Sequence, residues 1–342
     1  MTDRPILITG ADRSGTSLMY ALLGSHPDVA MIRRSNVWRW FDGAFGPLDQ
    51  PENLERCLDQ VMRYQRMAVL QPDPDRIRRD FAAGDPTYGR LFALLFRHHA
   101  DRLGRERWGD KSLHTEHHAD RVFEEWPDAR MIHMVRDPRD RHASVIKRYP
   151  DQSKGIGAIT GRWIESVDVG RRNREQFGER YLIVRYETLA ERPVDTLESV
   201  CRFLALPFDE AMLSMDGVPE QSEEGGNSSF GRLAPGTIST RSIGRFAEVL
   251  DSKTIALIES LTDGRMAEHA YVQSQPILGF AERLGLRAVA LPLAHLRVRA
   301  WRRTDAGRDV GRGVPAKRLT PRLSDVASAD ENEAQDSERS DR

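Results

Sequence analysis

Three short runs of apolar residues in the chain are each followed by a segment in which apolar positions recur at helical spacing. The runs cover residues 5–9, 129–135 and 181–185. Continuous apolar character over so few residues is typical of strands buried in a parallel sheet. Helical spacing begins at Gly15 after the first run and, after the second, at Asp137, an N-cap residue followed by proline. The alternation predicts an α/β fold, a P-loop-like parallel sheet with helices on both faces.

The charge composition of the chain changes after about residue 275. Residues 281–323 carry eleven basic residues against three acidic ones, and residues 325–342 carry seven acidic residues against two arginines. We therefore predict a main domain at 1–275, a basic C-terminal extension at 276–323 and a disordered acidic tail at 324–342. Within the main domain, residues 222–236 are rich in Ser, Glu, Gly and Asn and are expected to form a mobile loop.

The overall composition excludes several classes of protein. The 51 basic residues balance the 52 acidic ones, and no basic excess points to nucleic acid as a partner. No apolar run reaches about 18 residues, so no transmembrane segment is expected. The start of the chain leaves no room for a signal peptide, which favours a cytoplasmic location. Cys57 and Cys201 lie far apart without metal-ligand spacing, which argues against a disulfide scaffold or a cysteine zinc site.

The basic extension contains a stretch, residues 286–301, that is both apolar and basic. Such a composition is compatible with weak contact to a membrane surface or to a partner protein. Pro292 is expected to break the helical pattern of this stretch. A surface role for the extension therefore stays open at this point.

A first candidate site follows the first predicted strand. Residues 10–17 have the glycine spacing and the final hydroxyl of a nucleotide P-loop, but Thr16 stands in the lysine position and Arg13 supplies a cation instead. Backbone N–H groups and a helix N-terminus would still point at an anion there. The alternatives are a glycine turn without a ligand and the P-loop of a nucleotide kinase, which the missing lysine disfavours.

A second candidate site follows the second predicted strand. Arg136 stands at the C-terminal end of that strand, where ligands bind in open α/β sheets. Ser144 and Arg148 lie on one face of the next helix, one turn apart. An arginine fork beside a hydroxyl suits a terminal phosphate. The alternative is that Arg136 pairs with Asp137 or Asp140 on a solvated face. Two anion sites on one sheet predict a ligand with two separated anionic groups.

Together the two motifs resemble the sulfotransferases that use 3′-phosphoadenosine-5′-phosphosulfate (PAPS), in particular the bacterial branch related to tyrosylprotein and carbohydrate sulfotransferases. The match runs from about residue 4 to residue 262, in the order expected for the family. The segments that carry it are residues 10–18 with 25–28, residues 109–112, residues 135–140 with Ser144, residues 184–189, and residues 242–246.

The resemblance implies transfer of a sulfuryl group from PAPS to a hydroxyl or amine acceptor by in-line displacement, without a metal. It identifies residues 1–275 as the sulfotransferase domain and leaves the acceptor unidentified. Arg13 and Lys111 would stabilise charge that develops in the transition state. It further implies a 5′-phosphosulfate site at Arg13, Ser14, Gly15, Thr16 and Ser17, a 3′-phosphate site at Arg136, Ser144 and Arg148, and a nucleotide site lined by Tyr186 and Arg245.

The general base is where this sequence departs from the family. The tyrosylprotein branch has a glutamate as base shortly after the His-Pro segment, whereas residues 31–36 here contain no carboxylate. His114 is the first candidate to replace it, because it follows Lys111 by three residues and an imidazole titrates near neutrality. Asp42 and Glu116 are the alternative bases.

Two clusters and two further functions stay open as alternatives. Apart from sulfuryl transfer, the alternative functions are those of a nucleotide kinase and of a nucleotide-binding scaffold without activity. The first cluster would bind a metal, although no further ligand set accompanies it; its residues are His114, Glu116, His117 and His118. The second cluster would line an acceptor pocket or pack in the core; its residues are Trp38, Trp40, Phe41 and Phe45.

Overall fold

The computed structural model describes residues 4–150, 155–218, 237–304 and 313–320. Its centre is a five-stranded sheet in which every pair of neighbouring strands is parallel, in the order β2-β3-β1-β4-β5. The predicted α/β class is confirmed. The predicted mobile loop and acidic tail lie outside the described residues. The strands are β1 (Ile6–Gly10), β2 (Val29–Arg33), β3 (Arg107–Lys111), β4 (Arg130–Val135) and β5 (Tyr181–Arg185).

Helices connect the strands. They are α1 (Thr16–Gly24), α2 (Val37–Trp40), α3 (Pro51–Arg63), α4 (Gln65–Ala68), α5 (Pro74–Ala82), α6 (Tyr88–Arg102), α7 (Ala119–Glu125), α8 (Pro138–Arg148), α9 (Gly155–Phe177), α10 (Tyr186–Glu191), α11 (Pro193–Leu204), α12 (Ala211–Ser214), α13 (Phe246–Val249), α14 (Ser252–Glu268), α15 (Phe280–Gly285) and α16 (Leu291–Thr304). Short 3₁₀ turns cover Thr115–His118, Gly178–Arg180 and Ala316–Arg318, and a π-helical turn covers Leu286–Ala290.

The two faces of the sheet belong to different apolar clusters. Alternate residues of a strand point to opposite faces. In β4, Ile132 and Met134 belong to a cluster with α1 and α11, whereas Val135 belongs to a second cluster with Trp163 of α9 and Met266 of α14. The sheet is therefore buried between two helical layers, which is why its strands are apolar on both faces.

Two strands were missed by the sequence analysis. The three apolar runs predict neither β2 nor β3. β3 has the sequence Arg-Trp-Gly-Asp-Lys, which lacks an apolar run, yet its last four residues are buried. It is a strand because it lies between β1 and β2 and hydrogen-bonds to both. The polar groups at the C-terminal end of β3 indicate a functional site there.

The chain forms two compact units, one of residues 1–36 and 100–309 and one of residues 37–99 and 310–342. The described part of the predicted basic extension contributes to both. α16 packs on α9 in the first unit, and in the second Leu319 forms a β-bridge with Tyr64. The extension is therefore not a unit by itself, and the boundary at residue 275 stays a prediction about function.

Pro292 does not break the helix of the C-terminal segment. The backbone stays helical from Phe280 to Thr304, through the π-helical turn Leu286–Ala290. Proline removes an N–H and crowds the preceding turn, and a π turn is one of the ways in which a helix absorbs such a defect. None of the described helices has the length and apolar character needed to cross a bilayer.

Candidate active site

The loop between β1 and α1 has the geometry of an anion-binding loop. Gly10 and Gly15 have φ angles of 130° and 88°, in the region that favours glycine. A Cβ atom at Gly10 would lie 2.4 Å from the Met134 carbonyl oxygen, and one at Gly15 would lie 2.6 Å from the Tyr186 ring. The spacing of the two glycines therefore reflects close contacts with β4 and α10, and the loop delivers the N-terminus of α1 to the sheet edge.

The two predicted anion sites contact each other. The Arg13 Nε donates a hydrogen bond of 3.0 Å to the Ser144 hydroxyl of α8. An Arg136 Nη donates to the Arg13 carbonyl oxygen over 3.2 Å. This is possible because β1 and β4 are neighbours and end at the same edge of the sheet. That edge is also where the strand order changes direction, which is the usual ligand site of open α/β sheets.

Arg136 is buried next to the ring of Tyr186 and close to the loop after β1. Its guanidinium lies 4.6 Å from the centre of the Tyr186 ring and donates to the Ser242 carbonyl oxygen over 2.6 Å. Its Nε and the Ser14 hydroxyl are buried, and neither bonds to any described residue. Both atoms lie at the sheet edge that carries the two predicted anion sites, so they are available to a ligand there.

Among the described residues Arg136 forms no ion pair with Asp137 or Asp140, although burial raises the pKa of Asp140 and the charge of Arg136 opposes this rise. Asp137 instead forms an ion pair of 2.6 Å with Arg139, which also pairs with Glu259. Asp140 accepts two backbone N–H groups of the later loop, as described below. The aspartates of this motif therefore fix α8 in place, and Arg136 keeps a donor for a ligand.

The loop at residues 239–246 is attached to Arg136, Asp140 and Tyr186. The Gly244 and Phe246 N–H groups donate to the Asp140 carboxylate over 2.7 and 2.9 Å. The Tyr186 hydroxyl lies 2.7 Å from the Ser242 hydroxyl. Burial raises the pKa of Asp140 to about 6. Arg245, predicted to line the nucleotide site, lies between the two anchored N–H groups and pairs with Glu248 at 3.1 Å.

Arg141 and Asp12 support the phosphate loop and were missed in the sequence. The buried Arg141 guanidinium forms an ion pair with Asp12 and donates to the Asp12 carbonyl oxygen over 2.8 Å. It also donates to the Ile159 carbonyl oxygen of α9 over 2.7 Å. Arg141 thus holds α8, α9 and the loop together. The signal was present in the motif after β4, where Arg141 is the fifth charged residue among six.

Positive charge accumulates at the site. Burial lowers the pKa of Arg13 to about 10, and the charges of Arg136 and Arg148 act in the same direction. Burial, followed by the charges of Arg34 and Arg33, lowers the pKa of Lys111 to about 7. Arg148 itself is exposed at the end of α8. An anionic ligand would offset this repulsion, so the electrostatics agree with the two predicted anion sites.

His114 precedes the 3₁₀ turn Thr115–His118 and is half-buried. Its φ angle of 74° is one that histidine adopts more readily than most residues. Its ring lies over that of His117, with centroids 6.1 Å apart. His117 in turn lies 3.2 Å from an Arg162 Nη atom. The described contacts place His114 after β3, and its role as base stays a prediction.

Glu116 is a structural residue. Its buried carboxylate accepts from the Thr9 hydroxyl, from the Ser166 hydroxyl at 3.2 Å and from Arg162 at 2.9 Å. Burial by itself would raise the pKa of Glu116, but Arg162 and His117 lower it well below the usual range. Both of its carboxylate oxygens accept from protein donors, so the structure speaks against Glu116 as the base or as a metal ligand. No group of His, Cys, Asp and Glu that could hold a metal occurs among the described residues.

The residues at the glutamate position of the tyrosylprotein branch are arranged around β2 and β3. Arg33 is the register partner of Lys111, and the Arg34 N–H donates to the Lys111 carbonyl oxygen over 2.8 Å. The Ser35 hydroxyl donates to Asp110 over 2.7 Å. Burial raises the pKa of Asp110 to about 6. The carboxylate of Asp110 is the buried one closest in sequence to Lys111, and it accepts the hydrogen bond of Ser35.

The aromatic cluster of the second unit packs in its core. Trp38 contacts Phe92 edge-on with ring centroids 5.3 Å apart, and Trp40 contacts Tyr64 at 5.4 Å. Phe41 and its neighbour Phe45 are buried. Core packing, the second interpretation of this cluster, therefore accounts for these side chains. Asp42 belongs to the same unit, and its role as base stays a prediction.

The comparison with known families agrees with this site. The model of the sulfotransferase family matches residues 5–210, which is more than half of the chain. The chain belongs to the sulfotransferase family. The resemblance inferred from the sequence is confirmed, and the matched residues include both anion sites, from Arg13 to Ser144 and Tyr186.

The relatives match the chain over different lengths. Protein-tyrosine sulfotransferase 1 of Danio rerio is 27% identical over 220 residues, which are 62% of this chain and 56% of that protein. Protein-tyrosine sulfotransferase of Drosophila melanogaster is 24% identical over 61% of this chain and 39% of its own. The chain thus spans about half of these relatives or less. The nodulation protein NoeE of Sinorhizobium fredii is 27% identical over 90% of this chain and 75% of its own.

A solved structure shares the fold. The sulfotransferase domain of the Synechococcus PCC 7002 olefin synthase superimposes with a TM-score of 0.53. It covers 77% of this chain and 96% of that domain, at 21% sequence identity. At this level of identity the likeness shows a common architecture of sheet and helices, and the roles of individual residues rest on the geometry above.

Proposed function

We propose that this protein transfers a sulfuryl group from PAPS to a hydroxyl or amine acceptor. The observation that carries the proposal is the convergence of Arg13, Arg136 and Ser144 at the ends of two neighbouring strands. A donor with a phosphosulfate at one end and a 3′-phosphate at the other has the two separated anionic groups that this edge would bind. Membership of the sulfotransferase family supports this donor over a nucleoside triphosphate.

The residues of the site fit such a donor. The Arg136 Nε and the Ser14 hydroxyl bond to none of the residues that the structure describes and would bond to phosphate oxygens. In this assignment the phosphosulfate end lies against the loop of Arg13, Gly15, Thr16 and Ser17, and the 3′-phosphate lies against Arg136, Ser144 and Arg148. Tyr186 and Arg245 line the nucleotide between them. When bound, PAPS supplies an activated sulfuryl group on a phosphate leaving group.

The protein's part in the reaction is positioning and charge stabilisation. Arg13 and Lys111 would face charge that develops on the sulfuryl oxygens and on the leaving phosphate. His114 would accept the proton of the acceptor hydroxyl. No carboxylate occupies residues 31–36, so the base differs from the glutamate of the tyrosylprotein branch. The acceptor is therefore proposed only as a class, a hydroxyl or amine.

The experiment that tests the function is transfer of ³⁵S from labelled PAPS to a panel of acceptors that includes a phenol, a sugar and an amine. Labelled product from any of them, without added metal, supports the proposal. Tight binding of 3′-phosphoadenosine-5′-phosphate with no transfer to any acceptor would instead identify a nucleotide-binding scaffold. Magnesium-dependent turnover of ATP would identify a kinase.

Arg136→Ala is expected to weaken binding of 3′-phosphoadenosine-5′-phosphate far more than binding of adenosine 5′-phosphate. The loss of a charge-assisted bond should cost roughly 1.5–3 kcal/mol, or about ten- to hundredfold in affinity. Arg136→Lys keeps the positive charge but lacks the forked guanidinium. Its affinity for 3′-phosphoadenosine-5′-phosphate should therefore lie between those of the wild type and of Arg136→Ala. Titration calorimetry with both nucleotides measures the difference. Equal losses for the two nucleotides would place the 3′-phosphate elsewhere.

Affinity for the same nucleotide is expected to fall as pH rises through about 7. Because burial lowers the pKa of Lys111 to about 7, its positive charge is present below that pH and is lost above it. Each pH unit above the pKa reduces the protonated fraction of Lys111 about tenfold. The affinity can therefore fall by at most about tenfold per pH unit through this group. Lys111→Arg, which stays charged, should flatten the profile. A wild-type profile that coincides with that of the variant between pH 6 and 9 contradicts the role of Lys111.

A further inference from the structure

The C-terminal helical segment, residues 280–304, is held to the first unit by one face. Ala294 and Val298 are buried, and Val298 belongs to the apolar cluster of Trp163 and Met266. Arg302 pairs with Glu165 of α9 at 2.6 Å. This inner face therefore has buried apolar contacts at Ala294 and Val298 and an ion pair near its C-terminal end.

The other face of the segment carries an apolar stripe that faces solvent. Its side chains are between 42% and 85% exposed. Their spacing is four, five, four and three residues, and the spacing of five falls across the π-helical turn, where a turn takes more residues than in an α-helix. The stripe therefore follows one side of the helix for roughly 24 Å. This outer stripe consists of Phe280, Leu284, Val289, Leu293 and Leu296.

The segment also carries a strong excess of positive charge. Between residues 276 and 304 the only acidic residue is Glu282, which pairs with Lys253 at 3.4 Å. Arg302 is used on the inner face. Exposed arginines flank the outer stripe or follow it towards residue 304, and they are Arg283, Arg287, Arg297, Arg299 and Arg303.

We propose that the outer stripe docks on an anionic lipid bilayer, with the segment lying in the plane of the membrane surface. A helix with an apolar face and flanking basic residues inserts its apolar side chains at the boundary of headgroups and acyl chains, while its cations face the headgroups. The protein would in this way work at a membrane surface without crossing the bilayer. The proposal is independent of the acceptor and of the base.

Two other occupants match the stripe less well. A symmetric dimer through this face would bring the same arginines of two copies together, and like charges oppose such pairing. The acidic end of this chain offers complementary charge, but residues 325–342 contain a single large apolar residue, Val326. It has no side chains with which to cover five apolar ones.

The test is co-sedimentation of the full-length protein with vesicles of phosphatidylcholine alone and with vesicles that also contain phosphatidylglycerol. We expect binding to the second kind, weakened by salt. The double variant Leu284→Ser with Leu293→Ser should lower the partition coefficient at least about a hundredfold. The matched control, Val69→Ser with Leu103→Ser, changes two apolar residues that are exposed elsewhere and should bind as the wild type does.

Several outcomes would overturn the proposal. One is the absence of binding to anionic vesicles, and another is equal binding of the stripe variant and the control. Binding that does not depend on phosphatidylglycerol would remove the role of the arginines. Sedimentation velocity without lipid provides the last check. A dimer that the stripe variant abolishes would assign the stripe to a second copy of the chain.

Discussion

Replacing His114 by alanine is expected to lower the turnover number of sulfuryl transfer by at least about a hundredfold, while affinity for the donor nucleotide holds. Loss of a general base typically costs about 10²–10⁴-fold. His114 follows Lys111 closely, no carboxylate occupies residues 31–36, and Glu116 is fully engaged with Arg162. For these reasons His114 is the residue that we propose as the base. Turnover is measured with an acceptor that is demonstrably sulfated.

Two further variants separate the loss of a base from a change in the backbone. His114→Asn removes the imidazole but tolerates the left-handed φ angle of 74°, so it should be as inactive as the alanine variant. His117→Asn removes the neighbouring ring and should retain most of the activity. Near-normal turnover of both His114 variants, with loss of activity in Asp42→Asn, would move the base to the second unit.

Arg162→Ala is expected to lower the free energy of unfolding by about 3–5 kcal/mol, the usual cost of leaving one member of a buried ion pair without its partner. Glu116 would then keep a buried carboxylate with only hydroxyl donors for it. The matched control on the same helix is Arg171→Ala, which removes an exposed pair with Glu175 and should cost less than about 1 kcal/mol. Urea unfolding at pH 7 measures both.

The pH dependence of this loss has a definite sign. In the wild type the pKa of Glu116 lies well below its usual range, so the ion pair contributes its full stability above the unfolded value near 4.5. Without Arg162, burial raises the pKa of the same carboxyl group, and the protonated form is the one that folds. The difference between wild type and variant should therefore shrink as pH falls from 7 towards 5. A difference that does not change with pH would argue that packing, not charge, is lost.

The parts of the site that sequence predicts are those built from adjacent residues. The phosphate loop is contiguous, and the Arg136 motif follows its strand directly, so glycine spacing and residue type were sufficient to find both. Their meeting at Ser144 also follows, because parallel strands end at one edge of the sheet. Tyr186 was found through the family resemblance, and its contact with Gly15 is visible only in three dimensions.

The parts that sequence does not predict depend on partners distant in the chain. Glu116 was grouped with three histidines as a base or a metal ligand, but its partner Arg162 lies 46 residues later. Asp140 and Arg141 read as solvated charges until the later loop and α9 are placed around them. β3 has no apolar run and becomes a strand only between two others. In each case the role of the residue or segment depends on tertiary contacts, which a local sequence pattern does not show.

The position of β1 in the centre of the sheet has a consequence for how the chain is made. β1 hydrogen-bonds only to β3 and β4 among the described strands, and β3 ends at Lys111. At about 5–20 residues per second, a ribosome needs about 5–20 s to reach β3 after β1 has been synthesised. During that time Ile6, Leu7 and Ile8 have no backbone partner in the sheet. The phosphate loop that follows them therefore takes its final form late in synthesis, and the yield of active enzyme depends on how well the nascent chain is kept from aggregating before then.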